Sequence, residues 1–237
     1  MQRRLHDVPA GDEWLSAREL DVQARLLVPK RRADWRLGRW TAKAALAMVL
    51  AVEPSRVSIL AAEDGAPEAF VGDLPLPLPI SVSISHRAGL GLVTVSRHVV
   101  VGGDLELIEP RSAAFVREWF DEREQVSIAA ARDVDRHDEL TCLLWSVKEA
   151  SAKVLREGLR LDPRSAAVVL ESDEVADELG RRWRRTTVRW PTEDRVVTGW
   201  CRLDGSFVHA IAGARLTSVP VELRCPAPAD SVIDDAP

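Results

Sequence analysis

The 237-residue chain has no tyrosine. No step of its chemistry can therefore use a phenol as acid, base or modification site. Cysteine is scarce as well: Cys142, Cys201 and Cys225, with no Cys-x-x-Cys pair. This argues against a disulfide scaffold and against a four-cysteine zinc site. Cys142 lies in an apolar run and reads as a buried thiol. Long apolar stretches are missing too, none approaching the ~18 residues of a membrane span. The first residues, Met1 to Asp7, are polar and show no apolar signal segment. The expectation is a soluble, cytoplasmic protein without membrane contact. A net charge of −5 also leaves no general positive surplus for coating nucleic acid.

What is present is ordinary for a folded chain. Apolar residues make up 46% and charged residues 29%, which excludes wholesale disorder and allows a sizeable core. The basic residues are unevenly spread. Lys30, Arg31, Arg32, Arg36, Arg39 and Lys43 cluster with Asp34 as the one acid among them. From Trp35 to about Val52 the pattern is helical, with Leu37, Trp40, Ala44, Met48 and Ala51 forming an apolar stripe and the basic residues another face. That face reads either as a solvated surface or as a seat for an anion. Pro54 is expected to end the helix.

Residues 63–79 are rich in Gly and Pro and read as a loop or an extended edge. Strands are expected around Ser81–Ser85 and Leu92–Ser96, with His86 to Gly89 as the turn, and at Val99–Leu107. Ser112–Trp119 and Glu122–Ala131 read as short helices, Arg132–Glu139 as a polar loop, and Leu140–Glu157 as a long helix closed by Gly158. Strand-like stretches follow at Ala166–Leu170, Thr186–Trp190, Arg195–Leu203 and Ser206–Ile211, with Asp204-Gly205 turning the last pair. The fold class is thus α+β, with two similar subdomains, each a small antiparallel sheet packed on a long helix. The expected divisions are residues 1–106, 107–216 and a loose tail, 217–237. No sequence repeat is apparent.

Three clusters could carry chemistry. Asp104 and Glu106 alternate on a strand and would share a face. A cation relieves the repulsion between adjacent carboxylates, and oxygen-only ligands suit Mg²⁺; a solvated strand edge would show the same pattern. Glu149 and Lys153 share a helix face one turn from Trp145. Glu149 could complete a carboxylate triad and Lys153 could hold a phosphate, or the two could form a surface ion pair. Ser85, His86 and Arg87 stand together at a strand end, where an anion could be gripped.

In their order and spacing these clusters resemble the 4′-phosphopantetheinyl transferases of the two-subdomain, surfactin-synthetase-activating type. The motifs are Trp35 to Lys43 with Ser83-Ile84-Ser85-His86, then Val101 to Glu106, then Phe120 to Glu124 with Trp145 to Ala150 and Lys153. They span about residues 35–158. The resemblance implies transfer of the 4′-phosphopantetheine arm from coenzyme A to a serine of an apo acyl or peptidyl carrier protein, releasing adenosine 3′,5′-bisphosphate. It implies Mg²⁺ on Asp104, Glu106 and Glu149, with Lys153 at the attacked phosphate. It implies coenzyme A contacts at Ser85 and His86, and at Arg39. Glu149 is the favoured base for the serine and Glu106 the runner-up; Lys148 is expected to orient the serine or a phosphate. A monomer is expected, because both subdomains lie in one chain.

The chain departs from the resemblance where a loop lysine on the cofactor would stand: the loop reads Gly65-Ala66-Pro67. Arg87, Arg36 or Arg39 could replace that cation. For the carrier, Arg111, Arg117 and Arg123 with Phe115, Trp119 and Phe120 are candidate contacts, or else core. The basic run Arg181 to Arg185 reads as solvated surface. Competing readings are a Mg²⁺-dependent phosphohydrolase of nucleotides or coenzyme A, and a binding module without turnover.

Overall fold

The computed structural model describes residues 1–131, 133–157, 161–191 and 194–224. The expected stop at Gly158 and its exit turn through Leu159-Arg160, together with Cys225 and the tail beyond it, lie outside the described residues. The class is α+β, with antiparallel sheets and two long helices. The first half runs β1 (Gln2–Arg4), α1 (Ala17–Ala24), α2 (Pro29–Leu50), β2 (Val57–Ala61), β3 (Pro67–Val71), β4 (Ser81–Arg87) and β5 (Leu90–Ser96). The second runs β6 (Val101–Leu107), α3 (Ala113–Trp119), α4 (Glu122–Ala129), α5 (Val134–Leu155), β7 (Ala167–Ala176), β8 (Arg182–Trp190), β9 (Arg195–Asp204) and β10 (Phe207–Gly213).

The long helices start earlier than the apolar stripes suggest. α2 opens on Pro29 at its first position, where the missing N–H costs nothing. α5 opens at Val134, where the Asp133 side chain accepts from the Arg136 N–H, so most of the expected polar loop 132–139 lies in its first two turns, with Asp138 buried. Both close on a left-handed residue, Ala51 (φ 55°) and Arg156 (φ 59°). The exit of α2 therefore precedes Pro54, which instead begins a 3₁₀ turn. Met48, counted in the apolar stripe, is exposed at its margin. Residues 63–79 are not wholly loop, since β3 pairs with β2. His86 belongs to β4; the hairpin turn is Ala88-Gly89, both at positive φ.

The sheets are β1-β5-β4, β2-β3, and β6-β10-β9-β8-β7. One apolar core lies between α2 and the first two sheets, built on Leu46, Val57, Ile59, Val82 and Val93. Another lies between α5 and the five-stranded sheet, built on Val147, Val154, Val188, Trp190 and Val208. β6, at whose end the expected division falls, has its backbone ladder with β10. On its other side it meets β4 through hydroxyl groups. Ser81, Ser83 and Ser85 accept from the N–H groups of Val101, Gly103 and Leu105 at 2.9, 3.0 and 3.2 Å. Three side chains, alternating along one strand, thus join the halves. Of the residues expected as tail, Glu222 accepts from Arg181 at 2.7 Å and Leu223 packs on the first core.

The halves repeat each other with a fixed displacement of 105 residues in their helices: Ala17–Ala24 onto Glu122–Ala129, and Pro29–Leu50 onto Val134–Leu155. The N-caps Ser16 and Asp121 correspond, each paired with a capping-box glutamate, Glu19 or Glu124. Each glutamate also holds a buried lysine of the long helix: Lys43 at 2.6 Å from Glu19 and Lys148 at 2.5 Å from Glu124. Trp14 and Trp119, and Trp40 and Trp145, correspond at the same displacement.

One buried group gives the fold an acid limit. His209, on β10, is 1% exposed, and its Nε2 meets the Gln2 amide nitrogen. Its pKa is pushed down to about 3, by burial first and then by Arg202 and Arg181 against Asp204 and Glu222. The unfolded ring takes a proton near 6.5, the folded ring near 3, so acid favours the unfolded chain between those values. Stability is expected to fall as pH drops through that window, and the His209→Gln variant to show a flatter dependence in urea melts at pH 7, 5.5 and 4.

Candidate active site

β6 is the base of the site because glycine lets it come close to α5. A Cβ on Gly102 would lie 1.9 Å from the Ala150 carbonyl oxygen. That contact brings the next carboxylate, Asp104, under the middle of α5. Asp104 is 5% exposed and fully engaged. Its Oδ1 accepts from Lys153 Nζ at 2.8 Å and Ser85 Oγ at 2.9 Å, and its Oδ2 from Ser146 Oγ at 2.9 Å. Lys153 also donates to the Gly103 carbonyl at 2.9 Å.

Glu106, two residues on, shares the face. Trp145 Nε1 donates to its Oε1 at 3.2 Å and Arg111 to its Oε2 at 2.8 Å; Arg87 Nε lies 3.6 Å away. Glu149, half-buried on α5, has no hydrogen bond or ion pair among the described residues. Burial raises its pKa, Asp104 and then Glu106 add to the rise, and Lys153 opposes it. The Glu106 pKa is raised by burial and by Asp104, against Arg111 and Arg87. The three carboxylates therefore feel one another.

Against α5, β4 and the β2–β3 hairpin opens a cleft of about 640 Å³. Its lining includes the cations Arg39, Arg97, Lys153 and Arg156, the acids Asp64 and Glu68, and an apolar end at Leu78, Ile80 and Val99. Arg39 stands over the Trp35 ring at 5.2 Å, and its buried Nε has no hydrogen-bond partner among the described residues. An anion entering the cleft would satisfy it.

The structure puts Lys153 and Ser85 on Asp104 and Arg87 on Glu106 and Glu109, and the Asp104 charge is felt at both Glu106 and Glu149. His86 lies beside them on β4 but outside the cleft lining. Its pKa is lowered, mainly by the surrounding protein, then by Lys153 and Lys30 against Asp34.

The expected role of Lys148 needs correction. Its side chain is 1% exposed and its ammonium is held by Glu124 and by the carbonyls of Pro163 (2.8 Å) and Trp119 (3.3 Å), away from the cleft lining. Arg36 cannot replace a loop lysine either. It is taken up by Asp12, Gln23 and the carbonyls of Pro9, Ala10 and Gly11. Phe120 is not a partner contact, being fully buried, and Arg111 is engaged by Glu106 and Glu109. Phe115 and Trp119 pack on Trp145, with ring centroids 5.3 and 5.2 Å away. The basic run at 181–185 is met by acids: Arg181 by Asp177 and Glu222, Arg182 and Arg184 by Glu174, and Arg185 by Glu171.

Sequence reasoning passed over Ser146, Arg97, Asp64 and Arg156. Ser146 was detectable, being three residues before Glu149 and seven before Lys153 on one helix face. Arg156 caps α5 three residues after Lys153, while Asp64 and Arg97 come from loops and carry no local signal.

Among the described residues no three His, Cys, Asp or Glu side chains converge at metal-binding distance. The donor set is nevertheless the right kind for a hard divalent cation: all oxygen, with two carboxylates whose ionisation the third resists. No described helix is long and apolar enough to cross a membrane. No curated protein matches the chain. Residues 100–211, which carry Asp104, Glu106, Glu149 and Lys153, match the family model of the 4′-phosphopantetheinyl transferase superfamily.

Proposed function

We propose that the chain transfers the 4′-phosphopantetheine arm of coenzyme A to a serine of an apo acyl or peptidyl carrier protein, as the two-subdomain transferases do. The observation that carries this reading is Lys153. Its ammonium has three N–H donors; two go to Gly103 O and Asp104, and the side chain lines the cationic cleft. The third is left for a phosphate oxygen. The match over residues 100–211 and the unpartnered Arg39 Nε in the cleft wall support the same reading.

In the proposed reaction the serine oxygen bonds to the phosphorus that carries the pantetheine arm. The bond to the bridging oxygen breaks, and adenosine 3′,5′-bisphosphate leaves with the electron pair. The serine proton goes to Glu149, whose side chain makes no hydrogen bond or ion pair among the described residues, with Glu106 as the alternative acceptor. Lys153 offsets charge on the attacked phosphate, and Arg39 holds the phosphates of the cofactor. Asp104, Glu106 and Glu149 would hold Mg²⁺. Bound there, the ion would neutralise charge on the diphosphate. Both halves contribute to one cleft, so a monomer suffices, and the reading places it in the cytoplasm with coenzyme A and the carrier.

The test is the intact mass of an apo carrier protein incubated with this chain, coenzyme A and Mg²⁺. The expected result is a gain of one phosphopantetheine group, slowed by at least ~100-fold in Glu149→Gln. Loss of the arm from coenzyme A at equal rate without a carrier would instead show hydrolysis.

A further inference from the structure

In the lining of the cleft, two residues from opposite halves hold each other. Arg156 Nε and NH2 donate to the two Asp64 oxygens at 2.7 and 2.9 Å, and Glu68 lies 4.0 Å from the same guanidinium. Arg156 closes α5, and Asp64 sits at the β2–β3 turn, just before Gly65-Ala66-Pro67. Both line the cleft that Arg39 and Lys153 also line. The pair is a two-pronged one, the geometry by which a guanidinium also takes a phosphate.

We propose that Arg156 is a phosphate-binding residue of the cleft, and that Asp64 competes with the ligand for it. The inference rests on the reading of coenzyme A as the donor. Where no anion competes, Arg156 stays paired with Asp64. An entering diphosphate offers the same fork of oxygens with more charge, so Arg156 exchanges one partner for the other. Arg156 thereby brings a cation to the loop where Ala66 stands, from the far half of the chain. Asp64 sets the cost of entry and excludes weakly charged ligands.

The backbone at Arg156 is not what makes it special. Ala51 closes α2 in the same left-handed conformation, 105 residues earlier. Alanine is therefore tolerated at this helix end, and Arg156→Ala removes the guanidinium without removing the turn.

The two partners make opposite predictions, which a merely structural ion pair does not. Calorimetric titration of the full chain with coenzyme A at low salt is the experiment. Arg156→Ala is expected to weaken binding by roughly 5–10-fold, and Asp64→Asn to tighten it by roughly 3-fold. Arg156→Lys should recover part of the loss, because a point charge replaces the fork. If both variants shift affinity in the same direction, or neither shifts it, the proposal is overturned. If wild type itself does not bind coenzyme A, the donor assignment fails instead.

Discussion

Asp104→Ala is expected to slow arm transfer by roughly 10³-fold or more, because it removes the acid on which three other groups are arranged. Lys153, Ser85 and Ser146 all point at this carboxylate. Without it, Lys153 loses the anion that places it in the cleft, and the acidic cluster loses its central member. Asp104→Asn separates shape from charge. The amide keeps the volume and can still accept from one serine, so the fold should survive while transfer stays low. The check is the initial rate of carrier modification by mass, beside a thermal melt of each variant. A variant that melts as wild type and transfers at more than a tenth of the wild-type rate would remove Asp104 from the mechanism.

Lys148→Met is expected to act on the opposite property. Removing one partner of a buried ion pair leaves the other charged and uncompensated, at a cost of about 3–5 kcal/mol. Glu124 would be that partner. Its pKa is already raised by burial and held back by Lys148, so it would be driven towards the neutral acid. Urea unfolding at pH 7.5 measures the loss. The double variant Lys148→Met with Glu124→Leu should recover much of it, because two apolar groups can replace a buried pair. Lys43→Met, in the other half, should cost a similar amount, since Lys43 and Glu19 are both completely buried. If Lys148→Met leaves stability intact but abolishes transfer, the ammonium acts on the ligand after all.

The chemistry was legible wherever neighbours in space were also neighbours in the local repeat. Asp104 and Glu106 follow the two-residue period of a strand, and Glu149 and Lys153 the four-residue step of a helix; in the structure Lys153 bonds Asp104, whose charge Glu106 and Glu149 both feel. Lys148 misled because it adjoins Glu149 in sequence. Five residues before Lys153, it points about 140° away from it around the helix, and adjacent helix positions do not face each other. The basic stretch at 30–43 misled for another reason. Charge is visible in sequence, but the acids and carbonyls that consume it are not. Arg36 is met by residues 9–23 and Lys43 by Glu19, while Arg39 alone of the three reaches the cleft. The serine rungs of β4 were visible as Ser81, Ser83 and Ser85, yet their partners lie twenty residues on, in a strand with its own ladder elsewhere.

The 105-residue displacement is faint in the sequence because the side chains kept between the copies, two tryptophans, two arginines, a glutamate, a lysine and several alanines and aliphatics, are interspersed with many more that are exchanged. Its consequence concerns how many reactive faces the chain owns. At the counterpart of Glu149 stands Ala44, and at the counterpart of Lys153 stands Met48. The first copy thus presents a methyl and a thioether where the second presents an acid and an ammonium. A scaffold with seats for two sets of working groups is furnished once, and the empty copy is left to hold the other in place.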